Sequence, residues 1–582
     1  MASRNEKPAN NSLRQKIILI CAIVILAAVV VGITFVTKYV NKYTPSSEVT
    51  DYETYYDLAS DELFIVFDNE QLEDKAIIID DEVYLNINTV NTYLNSRFYW
   101  DSAEEILRYT LPDGLINITP DTASYTYDST AMTADCTICT VRDGEMYLSL
   151  TFAAVYTDIR YTVYEDPGRL VISDEGYEVT YTAIKRSTQV REKGGIKSSI
   201  LTELEKGAYV TVLETMDTWS MVCTEDGFIG YVLNKALGSE TTVVYEDTGD
   251  YEEPVFTHIT KDYTINMAWH QVTNTAANDY VESVLESTQG VNVISPTWFY
   301  LNDDLGGIES YASADYVTYC HNQGIEVWAL VSNLEDEDVD VTAVLSTTSS
   351  RDNLVNNLIS EAIRYDLDGI NVDFEALSSE AGSGYLQFIR ELSLKCANNG
   401  IVLSIDNYVP SDYTEFYDRA EQALFADYIV IMAYDEHYNG SDAGSVASLS
   451  FVSQGIADTL EEVPAEQIIL GIPFYTRLWE VTTETDDEGN SSEVTTSTVL
   501  TMSEVESWVA SKGVTLTWLD DCGQYYAEYE SDSITYMIWV EDQNSIEQKL
   551  ELMTSNNLAG ASFWKLGYEK NTIWDTIAEY IN

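Results

Sequence analysis

The stretch Asp368-Gly369-Ile370-Asn371-Val372-Asp373-Phe374-Glu375 decides the reading of the chain. Its apolar and β-branched residues predict a strand, and side chains of a strand alternate between its faces. Asn371, Asp373 and Glu375 therefore share one side and Ile370, Val372 and Phe374 the other. Asp368 has the parity of the second set and falls near the amino-terminal end of the strand. Carboxylates on a buried face cost free energy unless they are compensated, so two of them in this pattern call for a chemical reason.

Seven further apolar runs accompany that strand: INMAWH (265–270), VNVISPTW (291–298), IEVWALV (325–331), IVLSIDN (401–407), DYIVIMAYD (427–435), IILGIPFY (468–475) and LAGASFW (558–564). Amphipathic helical patterns separate them, the signature of a parallel sheet with crossovers. Eight such units over 262–582 predict a (β/α)8 TIM barrel, with an α+β insertion of roughly 80 residues after the seventh strand. That insertion holds an acidic stretch and expected strands near 525–530 and 535–539. In such barrels the chemistry sits at the carboxyl ends of the strands. Asp373 and Glu375 are then expected at the mouth, with Met432, Tyr434 and Asp435 ending the sixth strand, Tyr475 and Arg477 following the seventh and Trp564 ending the eighth.

A chain of 582 residues is too long for one ordinary domain, at roughly 100–200 residues each. Its 30 Lys and Arg against 97 Asp and Glu give a formal charge of −67, which repels phosphate backbones and argues against nucleic-acid binding. A neutral or amine-bearing polymer, or the cell exterior, remains compatible with that charge.

The fourth-strand series resembles the D-G-x-D-x-D-x-E signature of glycoside hydrolase family 18, the chitinase-like enzymes. Met432-Ala433-Tyr434-Asp435 resembles that family's M-x-Y-D, and Gly471 to Tyr475 with Arg477 resembles its G-x-P-F-Y-x-R. DGINVDFEAL and MAYDEHY look closest to the spore-cortex and cell-wall branch. The resemblance implies a hydrolase of β-linked N-acetylglucosamine polymers, peptidoglycan ahead of chitin, that works without a cofactor or metal. A 2-acetamido sugar carries its own nucleophile, its acetamido carbonyl, so no carboxylate nucleophile is needed and anomeric configuration is retained. The catalytic candidates the resemblance implies are Glu375, Asp373, Tyr434, Asn371 and Asp368, with Glu375 the general acid and later the base. Asp373 would orient the acetamide and stabilise the cationic intermediate, and Tyr434 would hydrogen-bond the acetamide oxygen. Trp564 would form the apolar floor and Asp435 would support the site. Tyr475 and Arg477 would shape the cleft, against the alternatives of barrel packing for Trp564 and Tyr475 and of a structural ion pair for Arg477.

One residue departs from the signature. Asn371 stands where the family has its middle Asp, so Asp373 loses a like-charged neighbour and is expected to ionise more readily, changing the acid limb without abolishing activity. An Asn371→Asp variant with an unaltered pH profile would contradict this. Two rival readings remain: a glycan-binding barrel without turnover, since folds outlive their chemistry, and an envelope scaffold.

Towards the amino terminus, residues 17–37 form an uncharged run of bilayer-spanning length. Arg4, Lys7, Arg14 and Lys16 precede it and predict a cytoplasmic stub at 1–16 and an exported remainder. Residues 38–60 read as a linker. Over 61–175 a pattern of strand, acidic turn, Tyr-Leu, short helix and strand occurs twice, in 76–118 and 140–173, and resembles the copper amine oxidase-like N-terminal domain, which implies a duplicated α+β module without copper chemistry. Short alternating strands over 181–236 predict a small β-barrel and resemble a bacterial Src homology 3 domain, which implies a possible cell-wall peptide partner, with a rigid spacer as the alternative. An acidic linker is expected at 237–261. Cys136 and Cys139 form a C-x-x-C without a second pair or a His cluster, so structural cysteines are expected there.

Overall fold

The computed structural model describes residues 11–174, 176–246, 251–485 and 491–581. Residues 1–10 of the expected stub, 247–250 of the acidic linker and 486–490 of the insertion lie outside the described residues. The chain divides into two compact units, Met1–Ser96 with Cys139–Glu252, and Arg97–Ile138 with Glu253–Asn582.

The second unit is built on the eight-stranded parallel barrel: β1 (Ile265–His270), β2 (Val293–Leu301), β3 (Glu326–Ser332), β4 (Gly369–Asp373), β5 (Val402–Tyr408), β6 (Tyr428–Met432), β7 (Ile468–Pro473) and β8 (Gly560–Trp564). Neighbours in sequence pair in parallel, and β1 pairs with both β2 and β8, closing the cylinder. Burial on both faces explains why these strands are near-continuous apolar runs. Alternation sorts them into two cores. Met267, Trp269, Val293, Trp328, Leu330, Val402 and Val430 fill the interior, while Ile370, Val372 and Phe374 pack outward with the helices. Asn371 is consequently an inward residue with no exposed surface. β4 opens on Gly369 because a Cβ there would stand 2.7 Å from the Trp328 ring and 3.1 Å from the Val402 carbonyl.

After β7 the chain leaves the barrel as Tyr475–Thr485, which pairs antiparallel with Ser491–Thr501 and with Ile534–Val540. Gln524–Ser531 and Thr517–Leu519 complete this five-stranded sheet, and helix Met502–Lys512 buries Val505 against Leu478, Ala527 and Ile538. Buried links fasten the insertion to the barrel, among them Trp479 Nε1 donating to the Gly444 carbonyl (2.8 Å) and Glu541 pairing with Lys549 at 2.9 Å.

A five-stranded antiparallel meander, Phe98–Asp101 to Thr130–Thr133, also belongs to the barrel unit. This departs from the contiguous 61–175 domain expected from the sequence and gives no support to a copper amine oxidase-like domain. The physical reason is charge pairing. Arg108 reaches Asp352 (2.7 Å) and Glu391 (2.9 Å), and Arg97 reaches Glu421 (2.9 Å). Arg351 also holds Glu391. Removing one partner from such a buried network costs about 3–5 kcal/mol, so these arginines bind the meander to the barrel helices.

In the first unit the duplication survives in part. Glu82–Asn86 and Glu145–Ser149 carry equivalent Tyr-Leu pairs and lie side by side, with Leu85 opposite Leu148. Each is followed by a short helix capped by its last residue, Asn86 to the Asn88 N–H and Ser149 to the Phe152 N–H, as short polar caps do. The copies then diverge. Arg169–Ser173 joins the seven-stranded sheet of this unit, whereas Gly114–Ile118 lies in the meander. A second seven-stranded sheet spans Glu178–Ile184 to Leu237–Val244, extending the expected small barrel by a strand at each end. The predicted 38–60 linker is structured. Helix Asn11–Tyr43 runs past residue 37, Thr50 donates its N–H to Ile200 O, and Tyr56 stacks on Phe64 with centroids 4.0 Å apart. Apolar contacts of that kind order a segment whose polar composition alone suggests a loop. Within the first helix, Ser12–Tyr43 is long and apolar enough to cross a membrane.

Candidate active site

β4 delivers its polar face to the barrel mouth. Asp373 ends the strand and Glu375 follows two residues later, clamped through its own backbone: Asn333 Nδ2 donates to Glu375 O (2.9 Å) and Asn333 Oδ1 accepts from Glu375 N–H (2.8 Å). The next residue, Ala376, has φ 52°, a left-handed conformation costly for a residue with a Cβ, and its N–H donates to the Tyr408 hydroxyl (3.2 Å). Strain and hydrogen bonds together fix the aim of the Glu375 side chain. Burial raises the Glu375 carboxyl above its ordinary range, Tyr408 opposes this by hydrogen bonding, and Asp435 and Glu335 reinforce it. A carboxyl held protonated in this way is suited to donate a proton near neutrality.

Asp373 is half-buried, and its Oδ1 is fully enclosed without a protein hydrogen-bond partner. Its carboxyl is pushed well above the ordinary value by burial, then by the charges of Asp406, Glu375 and Glu335. Asn371 removes a carboxylate from β4, but Asp406 on β5 supplies one from the adjacent strand, so Asp373 still stands above the ordinary carboxyl value. Asn371 itself faces inward and bonds with four side chains, accepting from Trp269 Nε1 (3.1 Å) and Ser295 Oγ (3.0 Å) and donating to Ser404 Oγ (3.1 Å) and Asp406 Oδ1 (2.7 Å).

Tyr434, two residues past β6, stands half-buried near the same carboxylates. Burial first, then the charges of Asp406 and Asp373, raise its hydroxyl well above the usual value, so it remains a hydrogen-bond donor. Gly471 makes room for it, since a Cβ at that position would lie 2.7 Å from Ile431 O and 3.2 Å from the Tyr434 ring. Met432 closes β6 and is buried between Tyr408 and Gly471. Asp435, at φ 55°, accepts through Oδ1 from Tyr475 Oη (2.7 Å) and from Arg477 Nη2 (3.1 Å). Arg477 therefore stands in an ion pair beside the site. Trp564 ends β8 half-buried and meets Trp269 edge-on at 5.8 Å.

Asp368 is not brought to this cluster. Its Oδ2 bonds His321 Nε2 (2.8 Å) and accepts from Val327 N–H (2.8 Å), which ties the amino-terminal end of β4 to β3, away from the mouth. The sequence reading of it as a catalytic candidate is corrected accordingly. Three contributors went unread: Asn333, Tyr408 and Asp406. The last two were visible in the parity of IVLSIDN and the Tyr408 that follows it, which places Ser404, Asp406 and Tyr408 inward once Val402 is inward. Asn333 carries no such signal, because it lies in the turn after β3. Among the described residues no group of three or more His, Cys, Asp or Glu side chains is arranged to hold a metal ion.

Comparison with known proteins agrees with this geometry. The family described as Glycosyl hydrolases family 18 matches residues 238–569, over half of the chain, and the family described as Bacterial SH3 domain matches residues 186–238. An uncharacterized glycosylase of Bacillus subtilis (strain 168), YvbX, is 26% identical over 284 residues, which cover 47% of this chain and 80% of that protein. The cortical fragment-lytic enzyme of Bacillus anthracis is 23% identical over 314 residues, covering 51% of this chain and 71% of its own. In fold, a chitinase-type C-terminal domain from Desulfitobacterium hafniense DCB-2 superposes with a TM-score of 0.50 at 19% identity, over 55% of this chain and 100% of that one. With a closed parallel barrel, two carboxyl side chains at the mouth of its fourth strand and a family match spanning most of that barrel, the chain belongs to glycosyl hydrolase family 18 and is a glycoside hydrolase.

Proposed function

We propose that this hydrolase is anchored in the cell membrane by residues 17–37, with its barrel outside the cell, and cleaves β-linked N-acetylglucosamine-containing strands of peptidoglycan in preference to chitin. The observation that carries the reading is the pairing of Glu375 and Asp373 at the mouth, both held above their ordinary carboxyl range, beside the protonated donor Tyr434. An acid, a group to orient the acetamide and a donor to its oxygen are what substrate-assisted, retaining hydrolysis requires. Glu375 protonates the leaving oxygen and later deprotonates water. Asp373, ionised by then, stabilises the positive charge that develops on the sugar. Tyr434 fixes the acetamido oxygen for attack at the anomeric carbon, Trp564 supplies the apolar floor, and Asp435 braces Tyr475 and Arg477.

The preference for peptidoglycan is supported by the cortical fragment-lytic name of the Bacillus relatives and by the SH3 domain, which in this reading engages wall peptide. Full-length protein in detergent is expected to release reducing ends from purified peptidoglycan faster than from chitin oligomers. Faster release from chitin would overturn the substrate assignment, and binding of both polymers without release from either would overturn the hydrolase. Mature protein recovered from the producing cells without its amino terminus would refute the anchor.

A further inference from the structure

The polar floor beneath Asp373 is unusually constrained for a barrel interior. An indole N–H is only a donor, so the end of the Asn371 amide facing Trp269 and Ser295 has to be its oxygen. The amide nitrogen is thereby turned toward β5, where its two hydrogens go to Ser404 Oγ and Asp406 Oδ1. All four hydrogen-bonding positions of Asn371 are then occupied. It has no hydrogen left for Asp373, and its strongest contact, at 2.7 Å, is with Asp406. Asp406 is only 2% exposed and has inward parity on β5, directly beside β4.

We infer that Asp406 is the positioning carboxylate of this active site, supplying to Asp373 from β5 the like charge that Asn371 no longer supplies from β4. The exchange is reciprocal. With a carboxylate at 406 the neighbouring position has to be a neutral donor, since a second carboxylate 2.7 Å away would repel the first, and Asn371 is that donor. Asp406 acts through Asp373 and raises the pH at which it ionises, because two neighbouring carboxylates resist simultaneous ionisation. The other groups acting on Asp373 are Glu375, two residues past the end of β4, and Glu335 after β3. Tyr434 after β6, Tyr385 on the helix after β4, and Tyr417 after β5 face it as well. On Asp406 itself, burial raises the carboxyl most. Asn371 and Trp269 lower it by hydrogen bonding, and Glu375 raises it.

The inference rests on the hydrolase reading, and its test separates the two. In full-length protein, Asp406→Asn is expected to move the acid limb of kcat/KM to lower pH by about one unit or more. Asn371→Asp is expected to move it the other way, and the double variant Asn371→Asp/Asp406→Asn to return it toward the wild-type position. Carboxyl-carbon NMR titration of Asp373, assigned by difference against Asp373→Asn, reads the same displacement without turnover and with any variant that folds. An Asp373 midpoint unchanged in Asp406→Asn, or a double variant that fails to restore it, would overturn the assignment. A displaced midpoint in protein that hydrolyses neither polymer would uphold the coupling and reject the hydrolase.

Discussion

Glu375→Gln is expected to lower kcat by about 10²–10⁴-fold while glycan binding stays within a few-fold of wild type. Glutamine matches the shape of the side chain and retains its hydrogen-bonding capacity but cannot deliver the acid proton. The contacts that aim the side chain survive the change: Asn333 binds the Glu375 N–H and C=O, Ala376 holds its left-handed turn, and the Tyr408 hydroxyl that bonds the carboxyl can donate equally to the amide oxygen. The substitution therefore leaves them intact, and the loss falls on the chemical step. The pH dependence follows from the raised carboxyl: the acid form persists above the ordinary glutamate range, and activity falls as pH rises through the shifted value. Parallel measurement of turnover and of glycan binding checks this. Undiminished turnover would remove Glu375 from the reaction, and binding without turnover in the wild type would favour a glycan-binding barrel.

Asp373→Asn carries the second large effect, a fall in kcat of about 10²–10³-fold with KM little changed, the size seen when one preorganised electrostatic partner of a transition state is removed. The same variant is expected to be more stable than wild type at neutral pH. Asp373 binds its proton more tightly folded than unfolded. The native state therefore holds the extra proton, and stability declines as pH rises from about 4, the unfolded value, through the folded one. Asparagine has no such penalty, so the difference in melting temperature between variant and wild type should be small at acid pH and grow toward neutrality. Thermal melts at the two ends of that range test the sign. A variant that gains nothing with pH would mean that Asp373 is not crowded by its neighbours.

The barrel was legible because each strand is an apolar run that local sequence can reveal. The β4 face was legible because alternation needs no partner. The floor beneath it depends on barrel closure, which brings Trp269 of β1, Ser295 of β2 and Ser404 and Asp406 of β5 around one amide. A reading confined to one strand saw Asn371 as a lost charge and missed the charge restored 35 residues later in sequence. The same limit explains the amino-terminal region. The meander reads locally as part of a duplicated module, but Arg108 finds Asp352 across 244 residues, and no composition shift announces an ion pair of that span. Asp368 illustrates the reverse case, where a motif position was assigned to chemistry and the strand's length carries it to the far end of the barrel.

Substrate-assisted hydrolysis at the Glu375 and Asp373 pair is tested most directly by the anomeric form of the newly released reducing end. Proton NMR within the first minutes of digestion, before mutarotation mixes the anomers, distinguishes the two stereochemical courses. Participation of the acetamido group predicts the β-anomer of N-acetylglucosamine, with configuration retained. Initial appearance of the α-anomer would require direct attack by water and would contradict the mechanism.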